Sequence, residues 1–247
     1  MDGETIILAC MDRRLNGYVD QLMLEHPNSV SLRNAGANVL TERESLNKLI
    51  TKNTERIILL PHTDCGAIKF VSSIINGGST APKLYSDLVQ QFKGKDAITL
   101  EALERLNLKI QSEAVTDLLG NRNIDVLSEL VQTDKLSFDD TKGHALVLSR
   151  PSTTTNEDII ERINWEKKGP ELGLGSTYMI QAHNLADVAS DIEIAVNVLK
   201  LSDVRAFSKS SETRELESEI KKIKERYGFA KQMNAAFFTK EPKRIIR

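Results

Sequence analysis

The sequence has few cysteines, little net charge and no long apolar run, and each shortage excludes a class of protein. Its 247 residues contain two cysteines, too few for a disulfide framework, so metal binding or catalysis is the better interpretation of the pair. The formal net charge is −2 with both signs mixed along the chain, which gives no electrostatic case for nucleic acid or an anionic membrane as the main partner. No apolar run approaches the ~20 residues of a membrane helix, and the short acidic N-terminus is not a signal peptide. We therefore expect a cytoplasmic protein.

Two further patterns are missing from the sequence. No internal repeat is visible, and the "GLGSTY" loop is too short and wrongly spaced for a phosphate-cradling fingerprint. The composition does provide a hydrophobic content of 40%, which is enough for a globular protein to bury a core.

Short apolar runs alternate with helical patterns along the first 62 residues. Strands are predicted for "ETIILAC", "SVSLRN" and "ERIILLPH", and helices for the two segments between them, the second with Thr41 as its N-cap. This alternation predicts an α/β fold with a mainly parallel central sheet flanked by helices. Cys10, Arg33 and His62 fall at the carboxyl ends of the predicted strands, where the reactive groups of such sheets collect.

The rest of the chain predicts more helices and three more strands. Residues 83–132 are expected to be largely helical, including the segment "IDVLSELVQ". Further strands are predicted in "GHALVLSR", "STYMIQAH" and "DVRAFS", with helices after the last two.

The spacing of His62 and Cys65 is typical of a metal site. A His-x-x-Cys segment that leaves a strand can aim an imidazole and a thiolate at one point, and Cys10 can supply a second sulfur. Zinc prefers these ligands, and a set of two cysteines and one histidine leaves a fourth tetrahedral position open, as catalytic zinc sites do. The alternative is two buried free cysteines and a hydrogen-bonded core histidine, since cysteine is among the most buried residue types.

Charged residues follow Cys10 directly. Asp12 is a carboxylate that the Arg14 guanidinium can clamp with two hydrogen bonds. A carboxylate held in this way stays ionised and can accept a hydrogen bond from a zinc-bound water. The alternative is an ordinary surface salt bridge, and Arg13 between the two is expected to be solvated.

Three motifs in this order resemble the β-class carbonic anhydrases: Cys-x-Asp-x-Arg in "CMDRR", Arg-Asn-Ala-Gly in "RNAGANV" and His-x-x-Cys-Gly in "HTDCG". The resemblance implies a Zn²⁺ ion bound by Cys10, His62 and Cys65, with Asp12 and Arg14 as the catalytic dyad. It also implies reversible hydration of carbon dioxide to bicarbonate and a proton, and assembly as a homodimer or a higher homo-oligomer. In some members the dyad aspartate moves onto the metal as a fourth ligand, and Asp12 would be that residue here.

The site chemistry also suggests a substrate pocket and a division of the chain. Carbon dioxide is uncharged and needs an apolar pocket, and the backbone amides of Ala35 and Gly36 are expected to line it, because glycine permits close approach. We assign residues 1–150 to a β-carbonic-anhydrase-like zinc domain with a helical insertion at about residues 78–142. Residues 151–247 form a C-terminal α/β extension that is expected to continue the sheet or to make subunit contacts.

Two other functions compete with carbon dioxide hydration. The same fold and metal could hydrolyse carbonyl sulfide or carbon disulfide, if the C-terminal region narrows the entrance. Alternatively, the chain could be an inactive zinc-bearing subunit that scaffolds an assembly. The presence of Asp12 and Arg14 favours an enzyme, because a structural metal site has no need of an oriented water.

Overall fold

The computed structural model describes residues 3–77, 86–95, 99–137, 145–148, 152–153, 178–181, 191–196, 198–201, 203–208, 210–228 and 234–239. These residues form an α/β fold. The strands are β1 Glu4–Cys10, β2 Ser29–Asn34, β3 Thr54–Leu60, β4 Asp125–Ser128, β5 Ala145–Leu148, β6 Ser152–Thr153, β7 Tyr178–Gln181, β8 Asp203–Ser208 and β9 Asn234–Thr239. The helices are α1 Asn16–Glu25, α2 Arg43–Leu49, α3 Gly66–Gly77, α4 Ser86–Gln90, α5 Leu100–Leu119 and α6 Ser210–Arg226, and residues 191–196 are also helical.

All the strands of the described residues belong to one sheet. Their order is β4-β3-β1-β2-β7-β5-β8-β9, and the short strand β6 also pairs with β2. Pairing is parallel from β4 to β2 and again from β7 to β9, whereas β2 runs antiparallel to β6 and β7. The predicted mainly parallel α/β sheet flanked by helices is therefore confirmed.

The central strand β1 is buried on both faces, as expected for a parallel sheet covered by helices. Ile6 and Leu8 belong to a core cluster on one face, and Ile7 and Ala9 to a cluster on the other. The second cluster also contains Ile180 of β7 and apolar residues from the C-terminal strands and helices. One continuous core therefore joins the N-terminal strands to the C-terminal ones.

Two local predictions differ from the structure. The segment "IDVLSELVQ" was expected to be helical but contains the edge strand β4, whose residue Val126 pairs with Ile57 of β3. Thr41 does not cap α2; its hydroxyl donates to the carbonyl of Asn38 (3.2 Å), and the residue before the helix is Glu42. Strand β5, which belongs to the N-terminal domain in our predicted division of the chain, pairs among the described residues with the C-terminal strands β7 and β8.

Among the described residues, no helix combines the length and the apolar character that crossing a lipid bilayer requires.

Candidate metal centre

The sheet brings the three candidate metal ligands together. Cys10 is the last residue of β1, and His62 and Cys65 follow the neighbouring parallel strand β3. The carboxyl ends of adjacent parallel strands meet at one edge, so ligands that are 55 residues apart in sequence become neighbours, with their sulfur atoms 3.9 Å apart. The two sulfurs and an imidazole nitrogen all lie within 4.8 Å of one another.

The geometry fits a bound metal better than a disulfide. Two sulfurs at the Zn–S distance of about 2.3 Å in a tetrahedral site lie roughly 3.8 Å apart, close to the observed separation. A disulfide needs about 2.05 Å, and both cysteines are free.

His62 presents one ring nitrogen to the sulfurs. Its Nδ1 lies 2.8 Å from the carbonyl oxygen of Thr63 and must donate to it, because a carbonyl oxygen only accepts. In the neutral, metal-binding form of the ring this leaves the lone pair on Nε2, which is buried and has no hydrogen-bond partner among the described residues. A buried nitrogen without a partner is costly, whereas a metal ion beside the two sulfurs would satisfy it.

The electrostatics of the three groups favour one thiolate even without a metal. Burial raises the pKa of Cys10, but the hydrogen bond from Cys65 and the charge of His62 outweigh it and hold the pKa well below its usual range. The hydrogen bond to Cys10, together with burial, raises the pKa of Cys65. Metal binding requires deprotonated thiols, and one of the two is already disposed to ionise.

Backbone amides and a buried carboxylate support the ligand residues. The amide of Gly36 donates to the sulfur of Cys10 (3.3 Å), and the amide of Cys65 donates to Oε1 of Glu104 (3.0 Å). Gly36 has a φ of +80°, a conformation that glycine adopts without strain. The amide of Ala35 donates to Asp191 (3.1 Å). These two amides, which we predict to line a substrate pocket, thus donate to the sulfur of Cys10 and to the C-terminal part of the chain.

Asp12 and Arg14 form the bidentate ion pair that their spacing suggests. Nε and Nη2 of Arg14 donate to the two carboxylate oxygens at 3.0 and 2.8 Å, and the Asp12 side chain is only 8% exposed. Arg14 is held in turn by Asp64 and lies 3.5 Å from the hydroxyl of Thr133. Although burial raises the pKa of Asp12, its contacts with Arg14 and His62 lower it below its usual value. Its Oδ2 lies 3.8 Å from Nε2 of His62, so the carboxylate borders the metal centre.

Sequence reasoning placed Arg33 at a strand end but gave it no role. The residue is 2% exposed, and its guanidinium donates to the carbonyls of Cys10 (2.7 Å) and Asp12 (2.9 Å) and to the side chain of Asn16 (3.1 Å). Arg33 therefore fixes the backbone between the candidate ligand Cys10 and the ion pair of Asp12 with Arg14.

Sequence reasoning missed a buried polar stripe on α5. Glu104, Asn107 and Gln111 are at most 4% exposed and are spaced three and four residues apart, on one face of the helix. Asn107 donates to the carbonyl of Gly36 (2.9 Å), and Gln111 accepts from the amide of Val39 (2.8 Å). The spacing of these polar residues beside the buried apolar face of the helix was the signal that could have revealed them.

A cleft of about 660 Å³ opens beside the metal centre. Its wall is built from both halves of the chain: Asp12, Arg13, Arg14, Asp64, Gly66, Lys69, Phe70, Ser73, Tyr178, Val198, Leu199 and Lys200. Asp12 and Gly66 are close neighbours in sequence of the candidate ligands Cys10 and Cys65, so the cleft borders the candidate metal centre.

Comparison with known proteins gives distant similarities. No protein-family model matches the chain, and no curated protein matches its sequence. Among solved structures, the chain is similar to the limiting CO2-inducible protein LCIB, with 12% identity and a TM-score of 0.45 over 55% of this chain and 78% of that one. It is also similar to a carbonic anhydrase from Glaciozyma antarctica, with 20% identity and a TM-score of 0.36 over 53% and 79% of the two chains. These similarities are low, so the case for a function rests on the side chains of the metal centre.

Proposed function

We propose that the chain is a zinc-dependent enzyme that reversibly hydrates carbon dioxide to bicarbonate and a proton. The observation that carries the proposal is the buried pairing of two elements: a Cys-His-Cys set with the chemistry of a zinc site, and an arginine-held carboxylate at its border. A structural zinc site needs only the first element, because no reacting water has to be oriented there.

Cys10, His62 and Cys65 would hold the metal. Two thiolates and a neutral imidazole balance the charge of Zn²⁺, and three protein ligands leave one tetrahedral position for the reaction. Zinc, when bound, supplies the Lewis acidity that makes a nucleophile from water available near neutral pH.

Asp12 would orient the attacking water by accepting a hydrogen bond from it. The role requires a carboxylate that stays ionised and keeps its position, and Arg14 provides for both through its two hydrogen bonds. The clamp also keeps both carboxylate oxygens engaged with the guanidinium, which opposes movement of Asp12 onto the metal as a fourth ligand.

The cleft would admit the uncharged substrate. Phe70, Val198 and Leu199 contribute apolar surface next to Asp12, which suits carbon dioxide because the molecule offers no charge to bind. The product bicarbonate is an anion, and the basic residues Lys69 and Lys200 lie in the wall of the same cleft, where their charge would attract it.

The direct test is stopped-flow hydration of carbon dioxide by protein of measured zinc content, from about pH 6.5 to about pH 9, across the range in which such a nucleophile forms. We expect rapid turnover that rises with pH. Absence of turnover at every pH in zinc-loaded protein would contradict the proposal.

Two variants separate metal binding from chemistry. Cys10→Ser should lower the zinc content, since a ligand is lost, whereas Asp12→Asn should keep zinc and lose most of the hydration activity. Asp125→Asn is the control, because this exposed carboxylate pairs with Arg56 at the sheet edge and should change neither quantity. Full activity in Asp12→Asn would remove this residue from the mechanism.

A further inference from the structure

The sheet contains the same arrangement of strands twice. In the N-terminal unit (β1–β4), the first strand pairs with the second and third, and the fourth lies outside the third. In the C-terminal unit (β5, β7, β8 and β9), β5 pairs with β7 and β8, and β9 lies outside β8. The units meet antiparallel through their second strands, β2 and β7, as two copies of one subunit would across a two-fold axis.

Two helices of each unit follow the same order as the strands. Helical residues 191–196 come after β7 as α2 comes after β2, and α6 comes after β8 as α3 comes after β3. The sequence shows no repeat, so the duplication is visible only in the topology. Both cysteines of the chain lie in the N-terminal unit, and the C-terminal unit therefore cannot form a second Cys-His-Cys set.

We propose that the C-terminal unit takes the place of a partner subunit, and that its residues Leu199 and Tyr178 form the wall that controls access to the metal centre, so that one chain carries a complete site. This inference rests on the proposed function for its meaning in catalysis. The structural part of the proposal is that these two side chains limit the access of reagents to the two thiols. This part can be tested without an activity assay.

Leu199 contacts the site beside a metal ligand. A Cβ atom added to Gly66, the residue after Cys65, would lie 2.8 Å from Cδ2 of Leu199. The leucine therefore occupies the space that a side chain at the start of α3 would need. Val198 and Leu199 also pack against the core cluster that contains Cys10 and Cys65, so the wall and the ligands share one packed region.

Tyr178 contacts the other side of the cleft. The first residue of β7 is half-buried and lines the cleft that Asp12 and Arg14 also line. We had expected Arg13 to be solvated, but it is half-buried and lines the cleft with Tyr178. The aromatic ring thus lies in the same cleft as Asp12, on the side that the C-terminal unit provides.

The junction between the units favours completion of the site within one chain. An uncovered β2 would be an exposed sheet edge, which is a template for pairing with a second chain. Here β6 and β7 occupy that edge, and Asp191 from the C-terminal unit accepts the amide hydrogen of Ala35 after β2. The place where a partner subunit would add its strand is already filled.

The first test measures access to the thiols in the metal-free full-length chain, which has no cysteines other than Cys10 and Cys65. The rates of thiol modification are compared for a small reagent, methyl methanethiosulfonate, and a bulky one, dithiobis(nitrobenzoate). Each rate is divided by the rate of the same reagent with the urea-unfolded chain. The wild-type wall should favour the small reagent. Leu199→Ala should lower this preference several-fold, because the gap beside Gly66 opens.

Leu201→Ala is the matched control. Leu201 belongs to the same segment and core cluster but does not line the cleft, so its removal weakens packing without opening the wall. The preference should stay at the wild-type value in this variant. An equal change in both variants, or none in Leu199→Ala, would overturn the assignment of the wall.

The second test decides whether one chain completes the site. Asp12→Asn and Leu199→Trp, in which the bulkier ring should close the cleft, are co-expressed and purified together. We expect no more hydration activity than the sum of the two variants alone. Hydration activity of the co-purified variants above that sum would show that the wall comes from a second chain. Full activity of Leu199→Trp alone would show that Leu199 does not control access to the site. Either result overturns the proposal. If the wild-type chain itself hydrates no carbon dioxide, the proposed function fails, while the thiol measurement still decides the wall.

Discussion

At the scale of single residues, Arg33 is hydrogen-bonded to the backbone of both the candidate metal ligand Cys10 and the carboxylate residue Asp12. Its buried guanidinium donates to the carbonyls on either side of Met11 and to Asn16, so it holds the turn in which Cys10 ends the strand and Asp12 begins the clamp. The planar guanidinium of arginine can donate to all three of these acceptors at once, whereas the single ammonium group of lysine cannot reach all of them.

We therefore predict that Arg33→Lys lowers the free energy of unfolding by about 2 kcal/mol, since a hydrogen bond from a charged group contributes roughly 1.5–3 kcal/mol. It should also lower zinc content, because the backbone of Cys10 loses its support. Urea unfolding and metal analysis check both effects. Arg56→Lys serves as the control, since this exposed side chain pairs with Asp125 at the sheet edge. Wild-type stability in Arg33→Lys would remove the positioning role from this side chain.

The candidate metal ligands could be predicted from the sequence, whereas the contacts that the supporting residues make with them could not. Cys10, His62 and Cys65 each follow an apolar run, and parallel strands end at a common edge, so their proximity follows from local patterns. The contact of Glu104 with the amide of Cys65 depends on how α5 crosses the sheet, which no local pattern states. The amide of Ala35 likewise meets Asp191, 156 residues away.

At the scale of elements, α5 supports the site through its buried polar stripe, Glu104, Asn107 and Gln111. Each side chain accepts from or donates to the backbone of a loop that leaves the sheet. These loops carry Gly36 and Cys65, and their polar groups are buried away from water. The stripe therefore substitutes for the hydrogen bonds that a strand or helix would otherwise provide.

Removing the first member of the stripe should disturb the ligand loop. Glu104→Ala leaves the buried amide of Cys65 without its acceptor, and we predict a loss of about 1–3 kcal/mol in unfolding free energy with lower zinc content. Glu104→Gln keeps an acceptor oxygen and should lose less of both. On the exposed side of the same helix, Glu101→Ala removes only a surface pair with Arg105 and should have little effect. Equal losses in the Ala and Gln variants would mean that the hydrogen bond to Cys65 does not matter.

Among the described elements, β4 is a strand where the sequence pattern predicts a helix. It shows that the local pattern does not always determine the type of an element. The segment from Ile124 onward is apolar enough for a short helix, but Val126 packs inward while Leu127 is 46% exposed, an alternation that fits a strand. The deciding factor is β3, which offers an unpaired edge beside it. A four-residue edge strand takes its conformation from its neighbour, and sequence alone does not reveal that neighbour.

At the scale of the whole molecule, the two units share one core. Ile180 of β7 is completely buried and belongs to the same cluster as Cys10, Cys65 and Ile68. Ile194 and Val204, from the C-terminal unit, lie in that cluster as well. Cooperative unfolding requires that the loss of one part removes contacts from the other, and a shared cluster meets this condition. We therefore expect the two units to unfold together.

The test is Ile180→Ala, which should lower the free energy of unfolding by about 2–5 kcal/mol, the usual cost of truncating a buried isoleucine. Urea unfolding is followed in metal-free protein by circular dichroism for the whole chain and by thiol labelling for the N-terminal unit alone. Because the cluster is common to both units, the two midpoints should coincide in the wild type and shift together in the variant. Leu127→Ala, at an exposed position of the edge strand β4, should leave both nearly unchanged. The contrary result is a thiol-labelling midpoint that does not change in Ile180→Ala while the circular-dichroism midpoint shifts. It would mean that the N-terminal unit folds independently and that the C-terminal unit does not stabilise the candidate metal centre.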